Sequence, residues 1–302
     1  MSLTAIGVDL GGTRIKILAI DAGGNTLHQA YISTNDSGDT MWTENVIAGV
    51  DAVKKILPGG EIIVGLSAPG VCNEDNTAVA FMPGRLQGLE NLVWQQHFNC
   101  SAWVVNDAVA ALLAEAKAGA AVGKKNVVLL TLGTGVGGAI LIDGKPYAGA
   151  FQKAGHLGHL TLNSYGEADI TGIPGSLEDA IGNCTIEKRS LGKYRFTHDL
   201  LTDYRKGDYF AQWLWLSSVR NLAIGIASIT NILSPEIILL GGGITEAEGD
   251  LFKPLEDFIP LYEWRLKENK VAIKKAQFGD FAGAIGAAFF ALDKYTMNKE
   301  QA

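Results

Sequence analysis

The chain has 302 residues, of which 47% are apolar and 19% are charged, and its formal net charge is −7 at pH 7. A chain of this length exceeds the size at which single hydrophobic cores stop growing, so the sequence predicts two domains. The acidic balance provides no basic surface for a nucleic-acid backbone or an anionic membrane, and neither is an expected partner.

The start of the chain and its cysteines indicate a cytoplasmic protein. Strand-like sequence begins by Ala5, no charged leader precedes an apolar run, and no stretch has about 18 uninterrupted apolar residues. Cys72, Cys100 and Cys184 form no CxxC pair, so we interpret them as reduced thiols.

Alternating apolar and polar residues predict three opening strands at 5–10, 15–20 and 26–33, with glycine turns at 11–12 and 23–25. Helical spacing follows at 41–56, and buried strands are predicted at 62–66 and 103–105. An alanine-rich helix then runs from 108 to about 118. A second hairpin is predicted at 127–132 and 139–142.

A polar, glycine-rich segment at 153–183 is long enough to indicate a functional loop. A long apolar helix at 210–233, a strand at 237–240 and a glycine turn follow it, and Thr245 is the expected N-cap of the next helix. The last predicted helix, 282–295, places Gly283, Gly286 and Ala287 on its tightly packed face. Interleaved strands and helices predict an α/β fold.

Two glycine turns share one layout. Gly11-Gly12-Thr13 follows Leu10, and Gly133-Thr134-Gly135 follows Leu132, which lies 122 positions after Leu10 (132 − 10). Each turn separates two strand-like stretches, whereas dinucleotide-binding and P-loop motifs require a helix after the turn. A lone turn of this kind is usually a plain hairpin. Two in equivalent places can hold a polyphosphate between two related domains, which predicts a nucleotide-driven phosphotransferase.

These motifs resemble those of the actin-like sugar kinases. Asp9–Thr13 resembles their first phosphate motif, 132–138 the second, and Leu239-Leu240-Gly241-Gly242-Gly243-Ile244 the adenosine motif. Within that superfamily the chain resembles the ROK family (repressors, open reading frames and kinases) over nearly its whole length. The specific marks are Val105-Asn106-Asp107-Ala108 and Ala154-Gly155-His156-Leu157-Gly158-His159.

The resemblance implies an actin-like (ribonuclease H-like) ATPase fold of two related domains with mixed sheets flanked by helices. The N-terminal domain would comprise residues 1–106, completed by a C-terminal helix at about 283–302. The C-terminal domain would comprise residues 107–282, with the second phosphate motif, the sugar loop and the adenosine motif.

The resemblance also implies a glucokinase-like, ATP- and Mg²⁺-dependent hexose kinase acting on a terminal hydroxyl, O6, of a glucose-like sugar. Asp9 would hold Mg²⁺ through water, since Mg²⁺ keeps several waters. The alternative is that Asp9 only caps the glycine turn. The other cofactor contacts implied are Gly11, Gly12, Thr13, Gly133, Thr134 and Gly135 for the phosphates, and Gly241, Gly242 and Gly243 for adenosine.

For the sugar, the resemblance implies that Asp107 is the general base and that Asn106 binds hydroxyl groups. Taken alone, an Asn-Asp pair between a strand and a helix is more often a helix N-cap. The further sugar contacts implied are Pro69, Gly70, His156, His159 and Glu178; a lone histidine in such a loop is otherwise usually solvated or packed in a core.

The family's zinc-binding segment is altered in this chain. Its usual form has Cys-x-Cys-Gly-x-x-Gly-Cys-x-Glu, and here Asp169, Thr171 and Ser176 stand at the cysteine positions. Because zinc prefers thiolate and imidazole ligands at tetrahedral spacing, we predict no structural zinc. We expect hydrogen bonds among these side chains to hold the loop instead.

His156 is a second departure, since the family usually has Gly-Glu-x-Gly-His where this chain has Gly155-His156-Leu157-Gly158-His159. That glutamate accepts hydrogen bonds near the anomeric end of the sugar, whereas neutral imidazole has one acceptor and one donor. The sequence therefore leaves the substrate open among glucose, fructose, mannose, allose and N-acetylated hexosamines.

Two other functions fit parts of this sequence. A sugar-sensing repressor of the same family would need a helix-turn-helix domain before the first phosphate motif, and Asp9 leaves no room for one. A sugar-binding or ATPase relative with weakened catalysis is allowed by His156 and the missing cysteines, but Asp107 and both phosphate turns are present. The expected partners are a small-molecule sugar and ATP, and the family resemblance leaves a homodimer open.

Overall fold

The computed structural model describes residues 2–301 except 37, 83, 85 and 268. The chain divides into two compact units. The first comprises Met1–Gly123, Pro146–Ala154 and Gln277–Ala302, and the second comprises Lys124–Lys145 and Gly155–Ala276.

The secondary structure is as follows. The strands are β1 (Leu3–Leu10), β2 (Arg14–Asp21), β3 (Thr26–Ser33), β4 (Glu61–Ala68), β5 (Val71–Cys72), β6 (Val79–Phe81), β7 (Ala102–Asn106), β8 (Val127–Leu132), β9 (Val136–Ile142), β10 (Lys145–Pro146), β11 (Ile237–Gly241) and β12 (Ala272–Lys275). The α-helices are α1 (Met41–Ile56), α2 (Gln95–Phe98), α3 (Asp107–Ala118), α4 (Leu177–Ile181), α5 (Ile186–Arg189), α6 (Thr197–Arg205), α7 (Tyr209–Leu233), α8 (Gly249–Phe258) and α9 (Ala282–Gln301).

The sheet of the first unit has the order β3-β2-β1-β4-β7, with β1 antiparallel to β2 and parallel to β4. Successive residues of β1 point to opposite faces. Ile6 and Val8 pack in one cluster with Trp42 of α1, whereas Ala5 belongs to a second cluster with residues of α3 and α9, including Ala284. Both faces of this sheet are therefore covered by helices.

Helix α9 lies very close to the first sheet. A Cβ atom on Gly7 would overlap the carbonyl oxygen of Ala284, and one on Gly65 would overlap that of Ala287. The strands therefore need glycine at these two positions, because any side chain would push the helix away.

The sheet of the second unit has the order β10-β9-β8-β11-β12, with β8 antiparallel to β9 and parallel to β11. Helix α7 packs on it through Leu222 and Ile226, which are fully buried. Among the described residues α7 is long and apolar enough to cross a membrane, and half of its most apolar stretch is buried inside the protein.

The α/β class and the mixed, helix-flanked sheets predicted from sequence are confirmed. The two units differ from the expected domain division, because residues 107–123 belong to the first unit. Helix α3 packs against α9 so closely that a Cβ atom on Gly286 would overlap the carbonyl of Ala110.

The expectation that Thr245 caps the next helix is wrong. Thr245 lies within a 3₁₀ turn at Gly243–Ala247, where its hydroxyl donates to the carbonyl of Gly242 at 2.7 Å. Glu248 instead precedes α8. The hydroxyl bonds backward along the chain, so it is not available to cap α8.

Candidate active site

The first glycine turn joins two antiparallel strands, as predicted. β1 ends at Leu10 and β2 begins at Arg14, so no helix follows the turn. Thr34 holds it, since its hydroxyl donates to the Gly11 carbonyl at 2.6 Å and its amide donates to the Thr13 carbonyl at 3.1 Å. The turn therefore presents a fixed backbone.

Asp9 stands beside this turn with both carboxylate oxygens engaged. Ser67 donates its hydroxyl to Oδ1 at 2.7 Å, and Lys16 Nζ lies 3.1 Å from Oδ2 and 3.0 Å from Asp280 Oδ1. Burial alone would lower the pKa of Lys16, but the two carboxylates outweigh it and raise that pKa. Sequence reasoning missed Lys16, although it pairs directly with Asp9 in the hairpin register.

Helix α9 also touches Asp9, through Gly283. A Cβ atom there would overlap Asp9 Oδ1 and come within 2.9 Å of Ser67 Oγ. The tightly packed face of α9 that was predicted from sequence therefore contacts a candidate site residue.

We expect Gly283→Ala to lower stability by about 1–3 kcal/mol through overpacking. If Asp9 holds the Mg²⁺ of a bound nucleotide, as expected from the sequence, the KM for Mg-ATP should also rise, because that carboxylate must move. Helix propensity alone would make Gly283→Ala stabilising by about 1 kcal/mol. A loss of stability would therefore indicate that overpacking outweighs propensity. Gly279→Ala, three residues before α9, is the control for adding a methyl group without overlap, since a Cβ atom there meets nothing within 4 Å. Thermal unfolding and steady-state kinetics measure both effects; equal behaviour of the two variants would contradict the prediction.

Asn106 and Asp107 lie where β7 passes into α3. Asn106 is the helix N-cap: its Oδ1 accepts from the amides of Ala108 at 3.0 Å and Val109 at 3.3 Å. Its Nδ2 donates to the carbonyl of Gly70 at 3.0 Å. Among the described residues only one of the two Nδ2 hydrogens has an acceptor, so the other is available to a ligand.

Asp107 is exposed, and its Oδ1 accepts from the Ala108 amide at 2.8 Å. Its charge reaches Cys72: burial, with a smaller contribution from Asp107, raises the pKa of that thiol to about 12. The capping role that sequence alone assigned to the Asn-Asp pair belongs mainly to Asn106, which accepts from two amides of α3, whereas Asp107 shares only the Ala108 amide.

Pro69 and Gly70 connect β4 and β5. Gly70 has φ +96°, a conformation that favours glycine. A Cβ atom on Gly70 would also crowd the Phe81 carbonyl at 2.5 Å. The bond from Asn106 thus ties this loop to the strand–helix junction within the first unit.

The second glycine turn likewise joins antiparallel strands, with Leu132 paired to Val136. Glu178, on α4, accepts a hydrogen bond from the Val136 amide at 2.9 Å through Oε2. A Cβ atom on Gly135 would overlap that same oxygen. A residue expected to contact sugar is therefore attached directly to the turn expected to contact phosphate.

The expected adenosine turn lies beside the second phosphate turn. Gly242 has φ +86°, and a Cβ atom there would overlap the Leu132 carbonyl at the end of β8. A pocket of about 570 Å³ in the second unit is bordered by Gly133, Thr134 and Gly243 of the two turns. Sequence reasoning did not identify its other lining residues, among them Phe196, Leu201 and Ala247. Gly241 lies at the end of β11, immediately before this turn.

The sugar loop is held by Asp169, whose side chain is fully buried. Its Oδ1 accepts from the amide and hydroxyl of Thr171 at 2.8 and 2.7 Å and from the Ile173 amide at 3.0 Å. Its Oδ2 lies 3.0 Å from Nδ1 of His159. Burial would raise the pKa of Asp169, but the bonds from Thr171 and His159 outweigh it and hold that pKa well below its ordinary value.

A carboxylate only accepts hydrogen bonds, so Nδ1 of His159 is the donor to Asp169, and Nε2 is left free of that partner. His156 is half-buried and immediately precedes the 3₁₀ turn Leu157–His159. Ser176 departs from the expected loop network, because its hydroxyl caps α4 by accepting from the Asp179 amide at 3.2 Å.

Within the described part of the chain, no group of three or more His, Cys, Asp and Glu side chains is placed to hold a metal ion. Zinc does not suit the sugar loop, since Nδ1 of His159 is already bonded to Asp169 and the neighbouring Thr171 is a neutral hydroxyl. Mg²⁺ carried by a nucleotide is a different case, because it needs only one carboxylate and retains waters. Asp9 suits that role.

Comparison with known proteins places these features in a family context. The ROK family model matches residues 5–294. A glucokinase of Halalkalibacterium halodurans is 30% identical over 94% of this chain and 93% of its own, and an N-acetylmannosamine kinase of Escherichia coli is 27% identical over 96% and 98%. The crystal structure of a ROK hexokinase from Thermus thermophilus is 28% identical, with a TM-score of 0.85 over 98% of this chain and 99% of that one.

Proposed function

Because this chain belongs to the ROK family and is a sugar kinase, we propose that it transfers the γ-phosphate of ATP to O6 of a glucose-like hexose, with Asp107 as the general base. The pocket of the second unit is the observation that most directly supports nucleotide binding. There Gly133 and Thr134 of the phosphate turn border the same space as Gly243 of the adenosine turn.

Asp107 would accept the proton of the attacking hydroxyl. The sugar oxygen forms a bond to the γ-phosphorus as the bond from that phosphorus to the β–γ bridging oxygen breaks, so ADP leaves and the proton resides on the carboxylate. Phosphoryl transfer asks a protein mainly for positioning and charge stabilisation. An exposed carboxylate at the start of a helix suits the proton-accepting role.

For the phosphates we propose the backbone and hydroxyl groups of the two glycine turns, Gly11-Gly12-Thr13 and Gly133-Thr134-Gly135. Adenosine would lie against Gly241–Gly243. Asp9 would hold Mg²⁺ through water, and the ion would neutralise phosphate charge when bound. Lys16 and Ser67 orient the Asp9 carboxylate for this task.

For the sugar we propose the residues that the family resemblance implies: Pro69, Gly70, Asn106, His156, His159 and Glu178. The bond to Asp169 leaves His159 Nε2 as an acceptor for a sugar hydroxyl. Glu178 has one oxygen engaged by the Val136 amide, so Oε1 is the atom proposed for the sugar. We further propose that the protein acts in the cytoplasm on small molecules alone, and a homodimer remains a proposal to test.

The proposal is tested by ADP release over a panel of hexoses and N-acetylhexosamines, with ATP hydrolysis in the absence of sugar subtracted. A glucose-like hexose is expected to give the highest kcat/KM. ADP release that no sugar stimulates would contradict the proposed reaction and favour a binding protein with weakened catalysis.

A kinase of another hexose or of an N-acetylhexosamine is the second candidate, and His156 is the observation that favours it, because the family usually has glutamate there. We expect His156→Glu to shift the ratio of kcat/KM values between glucose and the wild-type enzyme's other substrates by about tenfold, since a bond to a charged acceptor is stronger than one to imidazole. The same panel measures the shift. An unchanged profile would show that His156 does not govern selectivity.

A further inference from the structure

Arg189, the last residue of α5, makes an unusual set of contacts behind the second phosphate turn. Its Nε donates to Thr185 Oγ1 at 3.1 Å, its Nη1 to Ser218 Oγ at 2.6 Å and its Nη2 to the carbonyl of Gly182 at 2.9 Å. All of these acceptors are neutral, and no carboxylate of the described chain lies within ion-pair distance of Arg189.

Residues 182–185, to which Arg189 is hydrogen-bonded, are also hydrogen-bonded to the second glycine turn. The Asn183 amide donates to the Gly133 carbonyl at 3.0 Å, and the Cys184 amide donates to the Thr134 carbonyl at 2.7 Å. The guanidinium thus holds the 182–185 segment, and that segment holds two carbonyl groups of the turn.

Fixing these carbonyls also fixes the amides on the other side of the turn. In a planar trans peptide the C=O of one residue and the N–H of the next point in opposite directions. Binding the Gly133 and Thr134 carbonyls therefore directs the amides of Thr134 and Gly135 away from the 182–185 segment. Amides held in one direction can serve an anion without reorganisation when it arrives.

Arginine is the side chain suited to this task. Its planar fork donates in several fixed directions at once, whereas the ammonium group of lysine is a single point charge. Burial lowers the pKa of Arg189 to about 10, and the group stays charged at neutral pH. The charge of Asp179 favours the guanidinium, but burial outweighs it. Because partial burial of a cation is costly, a side chain without any function is a poor explanation for these contacts.

We propose that Arg189 is a positioning residue for the donor nucleotide, acting through residues 182–185 on the amides of the Gly133–Gly135 turn. The identity of the ligand rests on the proposed function. The hydrogen bonds that connect Arg189 to the turn through residues 182–185 do not depend on it. The competing explanation is that Arg189 merely fastens α5 to α7 through Ser218.

The experiment compares Arg189→Met and Arg189→Lys with Lys188→Met as the matched control. Lys188 is the adjacent residue, and its ammonium group pairs with Glu167 and Asp179 rather than with the 182–185 segment. Amide hydrogen exchange at Asn183 and Cys184 is measured first, without ligand, followed by the KM values for ATP and for the sugar.

We expect Arg189→Met to accelerate exchange at both amides and to raise the KM for ATP by about tenfold or more, as loss of bonds from a charged donor implies. The KM for the sugar should stay within about twofold. Arg189→Lys should lie between the wild type and Arg189→Met, and Lys188→Met should match the wild type. If Arg189→Met does not fold, Ser218→Ala, which removes one acceptor, should give smaller changes in the same direction.

Unchanged exchange at Asn183 and Cys184 would overturn the inference, as would a parallel rise of both KM values. A wild-type protein that no sugar stimulates would instead overturn the proposed function. In that event the exchange comparison still decides whether Arg189 holds the turn.

Discussion

Replacing Asp107 with asparagine is expected to lower kcat by about 10²- to 10⁴-fold, the usual contribution of a positioned general base. The KM for ATP should change by less than about twofold, because Asp107 is not among the residues proposed to bind the nucleotide. Asparagine keeps the shape of the side chain and can still accept from the Ala108 amide, so only the proton-accepting function is removed.

This experiment separates loss of the proton acceptor from loss of a helix cap, because the neighbouring residue supplies most of the cap. Asn106 accepts from the amides of Ala108 and Val109, so Asp107→Asn should shift the thermal midpoint very little. Asn106→Ala serves as the contrast and should cost about 1 kcal/mol of stability through loss of the cap. A fully active Asp107→Asn enzyme would refute the assignment of the base.

Replacing Asp169 with alanine is expected to raise the KM for the sugar by about tenfold or more and to lower stability by about 3 kcal/mol. The reason is that the fully buried carboxylate accepts bonds from Thr171, Ile173 and His159, and all of these donors would lose their partner together. Thr171→Val is the graded control, since it removes only the hydroxyl donor. A sugar KM unchanged in Asp169→Ala would contradict the role given to this loop.

The pH dependence of stability provides a second measurement on Asp169. Its pKa in the folded protein lies below the ordinary value of 3.8. Its contribution is therefore complete above about pH 5 and is lost as the pH falls below 3.8 through the lower folded pKa. The stability difference between the wild type and Asp169→Asn should shrink between about pH 5 and pH 3 in urea titrations. A difference that widens towards acid would contradict this assignment.

Local pattern was sufficient to predict the glycine turns. Alternation of Ile15, Ile17 and Ala19 indicated a strand after the first turn, and the structure has β2 there. The register of that hairpin also pairs Asp9 with Lys16, so counting outward from the turn would have found the lysine. These features depend on neighbours in sequence, and a period of two is a strong local signal.

Features that depend on tertiary packing could not be predicted in the same way. Asp280 reaches Lys16 from a segment far along the chain, and Arg189 reaches the second turn only through residues 182–185. No residue spacing in the sequence predicts either contact. The placement of α3 in the first unit was missed for the same reason, since it follows from the close approach of Gly286 to Ala110.

Helix α9 has a consequence for the order of events during biosynthesis. Ala284, Ala287, Ala288 and Ala291 are fully buried against a sheet whose strands all lie between Leu3 and Asn106, far earlier in the chain. A ribosome delivers that sheet early and the helix that covers it late. The nascent first unit must therefore wait, with part of one apolar face uncovered, while the whole second unit is translated, and chaperones that bind exposed apolar surface are expected to protect it.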